Sequence, residues 1–165
     1  NLYLMHGNRD FLIGKSFCED VGATMIDDPS KVIICNKEVL LMHGDTLCID
    51  DVDYQTFRSV VRDSKWKKEF LKKDINERIE VAKSLRDVSK IENKDKSLKI
   101  MDVNQIAVND VFQKNNVSLL IHGHTHRPQE HNEVYGKRFV LGDWDKDLWY
   151  LTITNKKIEL IKETI

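Results

Sequence analysis

The sequence predicts an α/β fold in which short apolar strands carry polar loops to one shared site. Three apolar runs, Leu2–Met5, Val39–Met42 and Val117–Ile121, each end in His-Gly followed by a polar side chain. Between them lie stretches with apolar residues at 3- and 4-residue spacing, the period of a helix with one buried face. The last part of the chain turns to strand-like alternation. In open α/β sheets, ligands gather beyond the carboxyl ends of strands. The His-Gly pattern has no fixed repeat length, so it reads as a shared site and not as a duplicated unit.

Taken in order, Leu2–Met5 is a short buried strand ending in the turn His6-Gly7-Asn8-Arg9-Asp10. Phe11 to Val21 is expected as a helix stopped by Gly22. Asp27-Asp28-Pro29-Ser30 is a turn. Val32–Cys35 and Val39–Met42 form a strand pair around Asn36-Lys37. Residues 51–99 contain no glycine or proline and are rich in lysine. The stripes Tyr54/Phe57/Val61 and Ile75/Ile79/Ala82/Leu85, with Trp66, Phe70 and Leu71 between, predict two or three amphipathic helices inserted among the strands. Asp102–Asn116 reads as a further helix with Val103, Ile106, Ala107 and Val111 inward. After Pro128 come a polar hairpin around Tyr135-Gly136-Lys137, the run Phe139–Gly142, and a strand pair either side of Asn155-Lys156.

A chain of 165 residues, 41% hydrophobic and 32% charged, is long enough for one domain with a real core. It holds no apolar run of membrane-spanning length, and its start is not a signal peptide. Three widely spaced cysteines without a C-x-x-C pair point to reduced thiols in a cytosolic setting. Residues 62–99 carry 13 Lys/Arg against 8 Asp/Glu, a net of +5 in a chain of net charge −1. Such a segment suits phosphates, an anionic membrane surface, or simply a solvated helical face. The opening residues are already strand-like, which fits either an internal strand or a chain lacking its first residues.

His124 and His126 stand two apart. If the backbone stays extended beyond the strand, both imidazoles aim at one point. With Asn8 and His43 they form a set of nitrogen and oxygen donors suited to Mn²⁺, Zn²⁺ or Fe, and no cysteine joins them. Hydrolysis of a phosphate ester or anhydride needs a nucleophile at neutral pH and a clamp on developing charge, which paired metal ions supply. Two ions ask for more donors than these four. Arg9 offers a planar fork to a phosphoryl group. His6 and His122 are expected to pack or hydrogen-bond behind the site. Asp45 either accepts a proton from His43 or caps the next helix. His131 reads as a surface residue.

Gly7-Asn8-Arg9-Asp10, Met42-His43-Gly44-Asp45 and Gly123-His124-Thr125-His126 resemble the later motifs of the calcineurin-like metallophosphoesterases, an αββα sandwich fold. The longer runs His6–Leu12, Leu41–Cys48, Lys96–Gln105 and Ile121–Pro128 resemble the narrower UDP-2,3-diacylglucosamine hydrolase family. The likeness covers nearly the whole chain and weakens after Arg127; the family usually has Ala where Asp143 stands. It implies a single domain over 1–165, incomplete at the N-terminus, with 51–99 as a helical lid. It further implies a lipid A biosynthesis hydrolase that splits the pyrophosphate of UDP-2,3-diacylglucosamine by water attack at the α-phosphorus. The products would be 2,3-diacylglucosamine 1-phosphate and UMP, with two Mn²⁺ as cofactor. By the same likeness, Asn8, His43 and His124 hold one metal and His126 the other. Asn8, Arg9 and His124 serve catalysis, and Asn8, Arg9, Asp51, Ser89, Asn93, Lys96 and His124 contact substrate.

The implied location is the cytoplasmic face of a Gram-negative inner membrane, bound peripherally, with no nucleic acid and no stable protein partner. The family's opening Asp-x-His and Gly-Asp motifs are not found in this chain, so one metal site is expected to be lost and the other incomplete. Other readings are a calcineurin-like phosphodiesterase acting on a nucleotide or nucleic acid, and a non-catalytic module that keeps only substrate or metal binding.

Overall fold

The structure, a computed structural model, describes residues 1–95 and 100–165, with the backbone alone for residues 88–95. Two compact units emerge: residues 1–48 with 103–165, and residues 49–102.

The first unit is built on a five-stranded sheet in the order β3 (Ser30–Ile34), β4 (Lys37–Met42), β5 (Leu119–His122), β7 (Gly136–Val140), β6 (Gln129–Glu133). The three central strands are parallel, and β3 and β6 pair antiparallel at the two edges. A parallel pair, β1 (Leu2–Met5) and β2 (Ala23–Ile26), and a hairpin, β8 (Asp147–Ile153) with β9 (Ile158–Thr164), complete the strands.

Strand alternation sorts the central residues onto two faces. Leu40, Met42 and Leu120 meet Val108 and Phe112 of helix α5 (Gln105–Asn115). Val39, Leu119, Ile121 and Phe139 face the other way and pack with Leu151, Ile153, Ile158 and Leu160 of the terminal hairpin. The sheet is therefore covered by a helix on one side and a hairpin on the other. His122, the last residue of β5, falls by the same alternation on the α5 side.

Several expected boundaries shift, each for a local reason. The first helix, α1, is only Lys15–Asp20. The Ile13 carbonyl accepts a hydrogen bond from His6 Nε2 at 2.8 Å, so residues 11–14 are drawn into a turn before the helix can start. The β3–β4 turn sits at Cys35-Asn36, one residue early, because both adopt positive φ (+49° and +61°) as a tight two-residue hairpin requires. Helix α5 begins after Asn104, whose side chain caps the Ile106 N–H at 2.8 Å, and ends at Asn116 with φ +48°. Ile106, expected inward, is 68% exposed. The buried stripe is Val108 and Phe112, and a residue two positions away lies about 200° round the helix. Strands β2 and β6, absent from the pattern reading, are short, and β6 carries only polar residues.

Among its described residues the second unit holds three helices, α2 (Val52–Arg62), α3 (Ser64–Lys72) and α4 (Ile75–Asp95). Asp51 and Asp63 cap the first two through the N–H groups of Tyr54 and of Lys65 and Trp66. Trp66 and Phe70 stack four residues apart, with ring centres 5.0 Å apart. This unit spans the segment read as an insertion.

Phe112→Ala should cost about 3–5 kcal/mol in a denaturant melt, because it empties a fully buried site against the sheet. Ile106→Ala on the same helix should change stability by about 0.5 kcal/mol or less. Equal losses for the two would mean that this face has been assigned wrongly.

Candidate metal centre

The three His-Gly strand ends are seated on one another. Gly123 N–H donates to the His43 carbonyl at 3.0 Å, tying the loop after β5 to the loop after β4. Gly44 lies against His122: a Cβ there would sit 2.7 Å from His122 Nδ1. Its φ of +104° also suits glycine alone. Gly7 lies against His43, where a Cβ would be 3.3 Å from the ring carbon Cε1. Each small residue thus lets a backbone approach the imidazole of another motif.

This interlocking brings His43 and His124 edge to face, with ring centres 5.0 Å apart and planes at 72°. His43 Nε2 and His124 Nδ1 are both shielded from solvent. A buried imidazole nitrogen needs a proton donor, an acceptor or a cation beside it. The His43 backbone N–H donates to Asp28 Oδ1 at 3.1 Å, so the Asp-Asp-Pro turn steadies the loop. In the sequence Asp28 reads only as a turn former. Gly7 N–H is held by Asp10 Oδ1 at 2.5 Å, which fixes the bend carrying half-buried Asn8 and exposed Arg9.

The expectation that His124 and His126 share the face of a continuing strand is corrected. Strand β5 ends at His122, and His124 and His126 have φ of +67° and +53°. Thr125 N–H donates to the Gly123 carbonyl at 2.8 Å, closing a three-residue turn over His124. That positive-φ turn is rare and strained, a kind of backbone that concentrates at functional sites. His124 packs edge to face on His43, while exposed His126 has Nδ1 3.3 Å from Asp143 Oδ2.

Asp45 opens a short 3₁₀ turn (Asp45–Leu47), wholly buried, and does not act as its cap. Asp51 spends one carboxylate oxygen on capping α2. Ser89 and Asn93 fall where only the backbone of α4 is described, and Lys96 lies outside the described residues. His131 is half-buried on β6.

His122 is 1% exposed, and its pKa falls to about 4. Burial is the main cause; the Gly123 carbonyl opposes it, and the Arg138 charge adds to it. Glu133 is pushed up by burial, but the Arg138 and Gln105 hydrogen bonds outweigh this and leave it below the ordinary carboxyl range.

Two imidazoles, with the carboxamide of Asn8 on the turn that seats Gly7 against His43, fit a borderline divalent ion in donor type. Among the described residues, no three or more His, Cys, Asp or Glu side chains converge to hold a metal ion. The fit is therefore to part of a coordination shell, with His43 and His124 at its centre.

The profile of the Calcineurin-like phosphoesterase family matches residues 1–128. The chain belongs to this family, one of divalent-metal phosphoesterases. Within it, the chain is 46% identical over 155 residues to a UDP-2,3-diacylglucosamine hydrolase of Marinobacter nauticus, covering 92% of this chain and 64% of that protein. A protein of the same name from Chromohalobacter salexigens is 47% identical over 147 residues, 87% and 60% of the two chains. Another, from Tolumonas auensis, is 40% identical over 169 residues, 99% and 69%. The chain thus spans 60–69% of the length of these relatives.

A pH dependence follows from His122. Between pH 6.5 and pH 4 the unfolded imidazole takes a proton that the folded one refuses, so stability falls as pH drops through that window. From pH 7 to pH 5 the loss from this group should be about 2 kcal/mol. Denaturant melts at the two pH values should show it, and His122→Asn should flatten the difference; an equal slope in the variant would contradict the assignment.

Proposed function

We propose that the protein hydrolyses the pyrophosphate of UDP-2,3-diacylglucosamine, releasing UMP and 2,3-diacylglucosamine 1-phosphate for lipid A biosynthesis. The observation that carries this reading is the convergence of His43 and His124 from two strand ends, in a chain 40–47% identical to proteins named for that reaction. Two Mn²⁺ ions are the proposed cofactor; a bound divalent ion lowers the pKa of water and neutralises phosphoryl charge.

The chain's own part is positional. His43 and His124 present solvent-shielded ring nitrogens, and Asn8 is proposed to add an amide oxygen. His126 is the proposed ligand of a second ion. Arg9, on an exposed turn next to Asn8, can donate paired N–H groups to phosphoryl oxygens. Asp51, Ser89, Asn93 and Lys96 are proposed as substrate contacts from the helical segment.

Among the described residues, no helix is long and apolar enough to cross a membrane. Val52 and Val60 on α2, which bears Arg58 and Arg62, and Ile75 on α4, which bears Lys83, are nonetheless at least half exposed. That combination supports a lid for acyl chains and peripheral contact with the cytoplasmic face of an inner membrane. The second reading is a module that keeps substrate or metal binding without turnover.

The deciding assay is UMP release from UDP-2,3-diacylglucosamine with and without Mn²⁺, with a cyclic nucleotide as competing substrate. Metal-dependent UMP release, with ¹⁸O from water entering UMP, is expected. Preference for the cyclic nucleotide would overturn the substrate, and tight substrate binding without UMP would favour the binding module. His124→Ala should lower turnover by at least about a hundredfold. Lys96→Ala should raise KM more than it lowers kcat if it only holds substrate. Near-normal rates in His124→Ala would mean the centre lies elsewhere.

A further inference from the structure

Behind the histidine pair runs a line of polar contacts that the proposed chemistry leaves unused. Gln105, at the start of α5, donates from Nε2 to Glu133 Oε2 at 2.7 Å. Glu133 Oε1 accepts from Arg138 Nε at 2.7 Å, and Arg138 Nη1 lies 3.2 Å from His122 Nε2. The ion pair is sheltered, with side chains 6% and 8% exposed. A guanidinium can only donate, so His122 Nε2 must be the acceptor and the ring proton must sit on Nδ1. That N–H then donates to the Gly123 carbonyl at 2.9 Å. The same oxygen accepts the Thr125 N–H at 2.8 Å, the bond that closes the strained turn over His124.

A buried ion pair is a poor stabiliser, because apolar residues of similar volume often do as well or better. Its path here ends on one carbonyl, and that carbonyl shapes the backbone of a histidine in the centre. We propose that Glu133, Arg138 and His122 form a positioning relay for His124. The relay holds the Gly123 carbonyl in the one orientation that closes the turn and aims the His124 ring at His43. None of the three needs to touch substrate or to change protonation state. Its effect on metal binding rests on the functional reading above; its effect on the turn does not.

The test has one arm without metal and one with it. In the wild-type protein, ¹⁵N spectra of His122 should show the Nδ1–H tautomer; an Nε2–H ring would overturn the relay at once. In Arg138→Met, amide exchange of Thr125 should speed up at least about tenfold, while Leu141, whose N–H bonds to the His122 carbonyl at 2.7 Å, keeps its protection. A purely structural role would loosen both amides together, and unchanged Thr125 exchange would sink the proposal. Glu133→Gln, which keeps side-chain shape, serves the same comparison if Arg138→Met does not fold. Calorimetric titration with Mn²⁺ should show affinity weakened about 10–100-fold in either variant, and wild-type affinity in a variant with a loosened turn would also count against the relay. A wild-type protein that takes up no Mn²⁺ would remove the functional reading, while the tautomer and exchange results would still decide the relay.

Discussion

The hydrogen bond from Gly123 N–H to the His43 carbonyl is the constraint on which the centre depends. It locks together the ends of two adjacent parallel strands, whose register pairs Met42 with His122. Once those ends are level, the side chains just beyond them have nowhere to go but toward each other. The close approaches of Gly44 to His122 and of Gly7 to His43 then follow; at Gly44 a larger residue would collide with the His122 ring, and at Gly7 it would crowd His43. The apolar strands supply rigidity, the small residues supply proximity, and the histidines inherit their places from both.

Much of this could be read from residue order alone. The strands ending in His-Gly stood out because an apolar run followed by a turn residue is a strong local signal, and the inserted helices were legible from their 3- and 4-residue stripes. What escaped was whatever depended on partners distant in sequence. β6 reads Gln-Glu-His-Asn-Glu and becomes a strand only because β7 offers it a ladder. Ile106 looks like a core residue until the sheet decides which side of α5 is covered. Asp28 gives no hint that it holds the His43 backbone some fifteen residues away.

The loop after β5 is the instructive miss. Alternation predicted that His124 and His126 would share one face of an extended strand, and the left-handed backbone at both residues ends that alternation. Period-two reasoning holds only while the ladder holds, and the ladder stops at His122. The conformation that takes over is set by hydrogen bonds to a single carbonyl, and the donors reach it from neighbouring residues and, through His122, from a distant arginine. No local pattern in the sequence encodes that dependence.

Strand β6 has one more consequence. It is the outermost strand of its sheet, and an outermost strand with its backbone open to solvent invites a second molecule to add on. Here its side chains are polar or charged, and Glu130 is ion-paired across to Lys137. The strand that supplies Glu133 to Arg138 therefore also discourages edge-to-edge aggregation through its exposed polar residues, so a hydrophobic replacement at this border would endanger solubility.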